Sequence, residues 1–427
     1  MIRNRWVILV LLTGLNFFNY LDRLIVAAVL PRIKDDLGLS NTEAGLLATV
    51  FLAGYFVTSP LFGVLGDRMA RKWLIAAGVL TWSLATVGSG LATNLWLLIL
   101  ARAVVGIGEA SYATLAPTII DDVMPAQHKG KALAIFFLAI PVGGACGYLF
   151  GGFVQSMWGW RAAFFLGGGP GLVLALTVLL IAEPARKLET AKADIAHTIG
   201  KLFRIPLYRR AVLGYCAHTA TIGAFSYWAP TFLSERFADA LSPATWTTVT
   251  QRAELILAKA NFLFGLVTVV AGAVGTILGG FLVDRALRGL PTVPADAPHD
   301  DPRNRRAANA QLQVCALGVA VACPLAIAAF VAPSALWFFV FAGLCEVGLF
   351  LSTAPINAIM LRTAPVVLRA SAMAVGIFAI HLLGDLWSPT LVGVLLDYVV
   401  PTLAMMALPV GIAIATLVWW PRAHEAP

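Results

Sequence analysis

Six charged side chains, Asp22, Arg23, Arg102, Glu109, Glu346 and Asp385, are set inside long apolar stretches of this 427-residue chain. Hydrocarbon rejects an isolated charge at a cost of several kcal/mol, so each needs a partner or a watery hollow. Asp22 and Arg102 lie about eight and seven residues from the same-side ends of their stretches. At 1.5 Å per residue both sit about 10–12 Å deep and can meet. Glu109 follows Arg102 by seven residues, nearly two helical turns, so both face one way. Burial favours the neutral carboxylic acid, and a guanidinium nearby favours the carboxylate. One proton can then switch Asp22 or Glu109 and loosen Arg102. The competing expectation is a permanent ion pair that locks two helices together.

Arg23 points about 100° away from Asp22 around a helix. It is expected to face a cavity and hold an anionic head group through its paired N–H donors. Tyr20, three residues earlier, could add a hydroxyl. An interfacial anchor is the alternative for Arg23. Glu346 sits mid-stretch, and His381 and Asp385 are spaced i, i+4, on one helical face. They read either as a polar wall that contacts a substrate or passes a proton, or as a satisfied structural pair. No third ligand in register supports a metal site, and no cofactor motif is present. His218 reads as structural. The five cysteines lie in apolar segments without a C-x-x-C pair and read as small buried hydrophobes. Gly143, Gly147 and Gly151 make one smooth helical face for a close neighbour, either sliding or static. Tyr148 beside them is a candidate cavity-lining residue.

The elements that must position these groups follow from composition. The chain is 59% hydrophobic and only 12% charged, with a mean hydropathy of +0.84. Its apolar stretches approximate 6–30, 43–66, 73–92, 95–120, 129–156, 161–182, 210–237, 258–284, 309–332, 335–361, 369–396 and 398–420. Each is near the length of about 20 residues that crosses a bilayer. No segment shows the alternation of a membrane barrel, so the fold class is all-α, with twelve transmembrane helices in two six-helix bundles. The first stretch lacks a cleavage site and reads as a retained helix. Twelve spans put both termini on one side. Most of the 30 basic residues lie there, whereas the opposite connections hold only Arg32, Lys34, Arg161, Arg236, Arg252 and Lys259. Both termini are therefore expected in the cytoplasm, and the net charge of +8 reports topology rather than nucleic-acid binding. Residues 183–209 form a polar linker whose Ile195, Ile199, Leu202 and Phe203 fall at helical spacing, an amphipathic helix ended by Pro206. They divide an N-terminal bundle (1–182) from a C-terminal one (210–427). Residues 289–307 read as a mobile loop.

An internal repeat supports that division. Gly63-Val-Leu-Gly-Asp67-Arg68-Met-Ala-Arg71-Lys72 ends the second stretch, and Gly280-Phe-Leu-Val-Asp284-Arg285-Ala-Leu-Arg288 ends the eighth. The first string resembles the loop signature of the major facilitator superfamily. Ala70 stands where that pattern has its second Gly, so a strained or different turn is expected. Asn19-Tyr20-Leu21-Asp22-Arg23, Arg102-Ala-Val-Val-Gly106-Ile-Gly108-Glu109-Ala-Ser111-Tyr112, Pro117-Thr-Ile-Ile, Ala139-Ile-Pro141-Val-Gly143-Gly144 and His381-Leu-Leu-Gly384-Asp385-Leu-Trp-Ser388-Pro389 resemble the Spinster family. That resemblance implies spans 1, 4, 7 and 10 around a central cavity. It also implies Asp67 and Asp284 meeting the positive N-termini of helices eleven and five, with Arg71 beside them, as conformational gates. Arg71 and its basic neighbours serve equally well as topology determinants.

The function these readings imply is a proton-coupled secondary active transporter of an amphiphilic substrate, lysophospholipid or sphingosine-phosphate-like, working by alternating access. Asp22, Arg102 and Glu109 are its expected proton-coupling residues. Tyr20, Arg23, Arg102, Tyr148, Glu346, His381 and Asp385 are its expected substrate contacts. A porter of a small organic anion or a drug is the alternative. The expected setting is a multi-pass monomer in the cell's inner membrane. An enzyme is disfavoured: Gly167-Gly168-Gly169-Pro170-Gly171 lacks a phosphate-loop Lys, and no Ser occupies a Gly-x-Ser-x-Gly.

Overall fold

The computed structural model describes residues 2–183, 195–243, 245–291, 301–365 and 368–420; the side chains of Asp67 and of residues 126–127, 129–130, 134, 195–197 and 370 also lie outside the description. Among the described residues the chain is helical and has no strand, only a single bridge between Ile2 and Ile181. The helices are α1 (Arg5–Leu37), α2 (Asn41–Arg68), α3 (Arg71–Gly90), α4 (Leu95–Val123), α5 (Ala126–Trp158), α6 (Trp160–Leu179), α7 (Ile195–Phe203), α8 (Pro206–Arg236), α9 (Ala238–Leu241), α10 (Val249–Leu287), α11 (Pro302–Phe330), α12 (Ala335–Leu351), α13 (Thr353–Thr363), α14 (Arg369–Ile380), α15 (Ser388–Tyr398), α16 (Pro401–Met405) and α17 (Ala407–Trp419). Among the described residues eleven segments are long and apolar enough to cross a membrane, with α12–α13, α14–α15 and α16–α17 each forming one crossing. Helix α8, 31 residues long but interrupted by polar side chains, completes the twelve-helix fold. Its lower hydropathy comes from His218, Thr219, Thr221 and Ser226 along its middle.

Local chemistry sets the helix ends. Gly38 adopts φ +64°, the left-handed conformation that closes α1. Ser40 and Glu43 then form a reciprocal capping box that starts α2. Asn94 accepts the Leu97 N–H and starts α4. Asp301 caps α11, with a proline next to it, so residues 302–307 are helix rather than part of the expected loop. Helix α10 begins nine residues before the expected span, which places Arg252 on it. Ala70 precedes α3 in an ordinary extended conformation (φ −65°, ψ 120°). The strain expected from its replacing a glycine is therefore absent.

Two compact units result. The first comprises Met1–Thr190, Ser226–Leu266 and Pro389–Asp397; the second comprises Ala191–Phe225, Val267–Ser388 and Tyr398–Pro427. The first unit thus gathers the ends of α8, α10 and α15 with α1–α6. Within it α1 packs on α5, α2 on α4 and α3 on α6. The glycine face of α5 lies on α1: a Cβ at Gly143 would be 2.5 Å from the Phe17 carbonyl, and one at Gly147 2.6 Å from the Leu21 carbonyl. Helices α2 and α4 approach as closely at Gly54 and Gly106. Large apolar side chains such as Val57, Leu100, Leu176 and Ile277 face outward, as a lipid solvent demands.

Candidate functional site

Close packing of α1, α2, α3 and α4 brings the charges of the first unit together. Arg23 on α1 donates from Nη2 to Glu109 Oε2 on α4 at 2.8 Å, and the Glu109 side chain is fully buried. The Arg23 guanidinium carbon lies 4.7 Å from the Tyr20 ring, 4.9 Å from the Phe51 ring and 5.5 Å from the Tyr55 ring. Arg102 places its own guanidinium 4.7 Å from the same Phe51 ring. One aromatic side chain therefore stands against two cations, attracting both through its π face. Gly106 makes this possible, because any Cβ there would lie 2.0 Å from the Phe51 carbonyl.

Asp22 takes a different partner from the one its depth suggested. Its Oδ2 accepts the Thr86 hydroxyl of α3 at 2.6 Å. It forms no ion pair with Arg102, although the two stay within electrostatic range. The reason is angular. Asp22 and Arg23 diverge by about 100°, so Asp22 turns to α3 while Arg23 takes the carboxylate on α4. The cluster keeps unused capacity: Asp22 Oδ1, Arg23 Nε, and Arg102 Nε and Nη1 are buried without hydrogen-bond partners. Polar atoms so placed are costly unless a proton, water or ligand meets them.

Tyr148 is buried; its hydroxyl donates to the Ser226 carbonyl at 2.5 Å, and its ring meets Phe264 edge-on at 5.1 Å. It fastens α5 to α8 and α10 rather than lining a wall. Arg71 is held inside the first unit, 2.6 Å from Asp122 on α4 and donating to Glu183 at 3.1 Å. The Asp67 side chain lies outside the described residues, and Asp284 is exposed at the end of α10.

In the second unit His381 Nδ1 lies 3.0 and 3.1 Å from the two Asp385 carboxylate oxygens. The pair rides a π-helical turn, in which the Leu386 N–H reaches back to the His381 carbonyl. Such turns widen a helix locally and recur at functional sites. No third His, Cys, Asp or Glu joins them as a metal set among the described residues. Glu346 is buried, with Thr268 of α10 donating to Oε1 at 3.1 Å. His218 is buried against the Leu349 carbonyl at 3.0 Å, a packing role.

At the end of the helices opposite the chain termini, α15 closes onto α2. The Asp397 carboxylate accepts the Asn41 and Thr42 N–H groups at 2.8 and 2.9 Å and the Thr42 hydroxyl at 2.6 Å. A carboxylate on the positive end of a helix is favourable. Tyr227 donates to the Ala44 carbonyl at 2.6 Å, and the Trp228 indole donates to the Pro389 carbonyl at 2.8 Å.

Phe51, Tyr55, Thr86 and Asp397 were not singled out from sequence. Phe51 and Tyr55 share a face by their i, i+4 spacing beside Gly54, a signal that was available. Thr86 and Asp397 carry no local signal, because their partners are far away along the chain.

A twelve-helix membrane fold with a buried, incompletely satisfied charge cluster defines a multi-pass membrane transporter. The family model of the Major Facilitator Superfamily matches residues 12–389. Protein spinster homolog 1 of Homo sapiens is 34% identical over 407 residues, which cover 91% of this chain and 72% of that protein. Protein spinster of Drosophila melanogaster is 32% identical over 401 residues, 92% of this chain and 62% of that protein. The chain belongs to the Spinster family of the major facilitator superfamily. The fold matches the crystal structure of a bacterial homolog of the human lysosomal transporter Spinster, inward-facing and occupied, with a TM-score of 0.79. That match covers 98% of this chain and 97% of that one at 21% identity.

Proposed function

We propose that this chain is a proton-coupled secondary transporter that moves a lysophospholipid or sphingosine-phosphate-like amphiphile by alternating access. The observation that carries the reading is the Arg23–Glu109 pair, in which the carboxylate is buried and the guanidinium lies against Tyr20, Phe51 and Tyr55. With Glu109 ionised, Arg23 is neutralised inside the protein. A proton arriving on Glu109 removes that charge and leaves Arg23 free for a phosphate, whose oxygens suit its forked donors. Proton and anion then bind together. Arg102, with Nε and Nη1 unpaired, supplies further donors, while Asp22, held by Thr86, is a second proton acceptor in the same cluster.

His381 and Asp385 supply polar contacts in the second unit. Both termini are cytoplasmic in an inner membrane, as the basic residues favour. The end latched by Asp397 then faces outward. Asp67, Arg71 and Asp284 act at the inner ends of their helices as gates.

The deciding experiment uses purified protein in liposomes with an imposed pH gradient and a panel of labelled substrates. Uphill accumulation of lysolipid that collapses with the gradient is expected. Uptake of sugar phosphates or dicarboxylates in its place would reassign the substrate to small organic anions. Indifference to the gradient would end the coupling proposal.

A further inference from the structure

Helices α3 and α4 pack backbone to backbone at Gly78 and Gly108, where a Cβ at Gly78 would lie 2.6 Å from the Gly108 carbonyl. One turn further toward the end opposite the chain termini, the seam between them holds a groove of about 490 Å³. That is the volume of a small-molecule site. Leu84, Leu91, Leu97 and Leu100 line it with exposed side chains, while Ala85, Gly88 and Ala101 leave it hollow. A Cβ added at Gly88 would meet no described atom within 4 Å.

The depth of the groove matches one leaflet. Its lining runs from Thr81 to Ala92, about 16 Å at 1.5 Å per residue and close to half of a hydrocarbon core of roughly 30 Å. Trp96, beside its far end and 76% exposed, suits the belt of aromatic side chains at head-group level. That end also carries a cation and an anion. Arg161 of α6 donates from Nη2 to the carbonyl of Ala92, a lining residue, at 3.2 Å, and from Nη1 to Asp36 Oδ2 at 2.5 Å. The two side chains stay 38% and 46% exposed, so both can still be reached. A guanidinium beside a carboxylate complements a head group that bears both a phosphate and a primary ammonium. Phosphate oxygens suit the forked donors of Arg161, and ammonium N–H groups suit Asp36. A quaternary ammonium has no N–H to give, and an anionic glycerol head group would meet Asp36 uncompensated.

We propose that the α3–α4 groove holds a resident phospholipid of the phosphatidylethanolamine class, drawn from the leaflet at the end opposite the termini. One acyl chain lies along the leucines over Gly88, and the head group sits on the Arg161–Asp36 pair. The site is separate from the Arg23–Glu109 cluster. Its occupancy depends neither on proton coupling nor on the identity of the transported substrate.

Two measurements test it. The first is photocrosslinking of the full chain in nanodiscs that contain phosphatidylethanolamine with a diazirine in its acyl chain, read by peptide mass spectrometry. In the wild type, crosslinks are expected to concentrate within residues 81–104. In Gly88→Leu and Gly88→Trp, whose side chains start in open space and fill the groove, they should fall to the level of other lipid-facing positions such as Val57 and Ile277. Even labelling of all these faces in the wild type overturns the site, and that map decides it even if neither variant folds. Labelling that persists in both folded variants overturns the placement of the chain over Gly88. The second is native mass spectrometry of the purified protein with defined lipids. The wild type should retain phosphatidylethanolamine over phosphatidylglycerol and phosphatidylcholine. Asp36→Asn leaves Arg161 unopposed and should reverse that preference toward phosphatidylglycerol. Equal retention of the three lipids by the wild type overturns the head-group assignment. Displacement of the bound lipid by an equimolar lysophospholipid overturns a resident lipid and makes the groove part of the substrate's route.

Discussion

Arg23 and Glu109, 86 residues apart in sequence, form a 2.8 Å ion pair between α1 and α4, with the carboxylate fully buried and the guanidinium walled by aromatic rings. Breaking a buried pair by removing one partner strands the other charge, at a cost of about 3–5 kcal/mol. A proton on Glu109 does the same unless an anion replaces the carboxylate. Protonation and anion binding are therefore linked through Arg23, which gives the cluster a physical basis for coupling.

Glu109→Gln should uncouple the two events. Binding of a phosphate-bearing amphiphile, measured by tryptophan fluorescence or calorimetry, is expected to become nearly independent of pH. Arg23→Ala should instead weaken that binding about tenfold or more, the value of a charged hydrogen bond of about 1.5–3 kcal/mol. Equal affinities in wild type and Arg23→Ala would remove Arg23 from the head-group site.

Asp22→Asn keeps the shape of the side chain and its acceptor for Thr86, but it cannot bind a proton. Expression and counterflow exchange are expected to survive, with pH-driven uptake lost. Normal pH-driven uptake in this variant would restrict coupling to the remaining carboxylates.

Phe51→Leu preserves most of the apolar volume while removing the π face shared by Arg23 and Arg102. Each cation–π contact is worth about 0.5–2 kcal/mol, so a slower transport cycle with little change in melting temperature is expected. A large loss of thermal stability would show that Phe51 serves packing instead.

Asp397→Ala removes three hydrogen bonds to Asn41 and Thr42 at the N-terminus of α2. The end opposite the termini should open more often, by about tenfold for a net loss of 1.4 kcal/mol. Labelling of a cysteine placed at Thr49 by an impermeant maleimide reads this, since Thr49 is closed against Thr390 at 2.7 Å. Unchanged labelling would mean that the other contacts at this end, from Tyr227 and Trp228, hold it alone.

Composition and the length of the apolar stretches determined the all-helical membrane fold, because lipid leaves the backbone few other ways to satisfy its N–H and C=O groups. The repeated Gly-x-x-x-Asp-Arg strings and the Spinster-like motifs identified the family, and isolated charges in hydrocarbon picked out most of the cluster. The glycines of α5 likewise announced a smooth face, though not that α1 would fill it. Pairing was decided only in three dimensions. Depth along a helix can be counted from sequence, so Asp22 and Arg102 were placed at one level. Azimuth depends on how helices pack, and Gly54 and Gly106 set α2 against α4 so that Phe51 stands between the two arginines. That rotation gave Glu109 to Arg23 and Thr86 to Asp22.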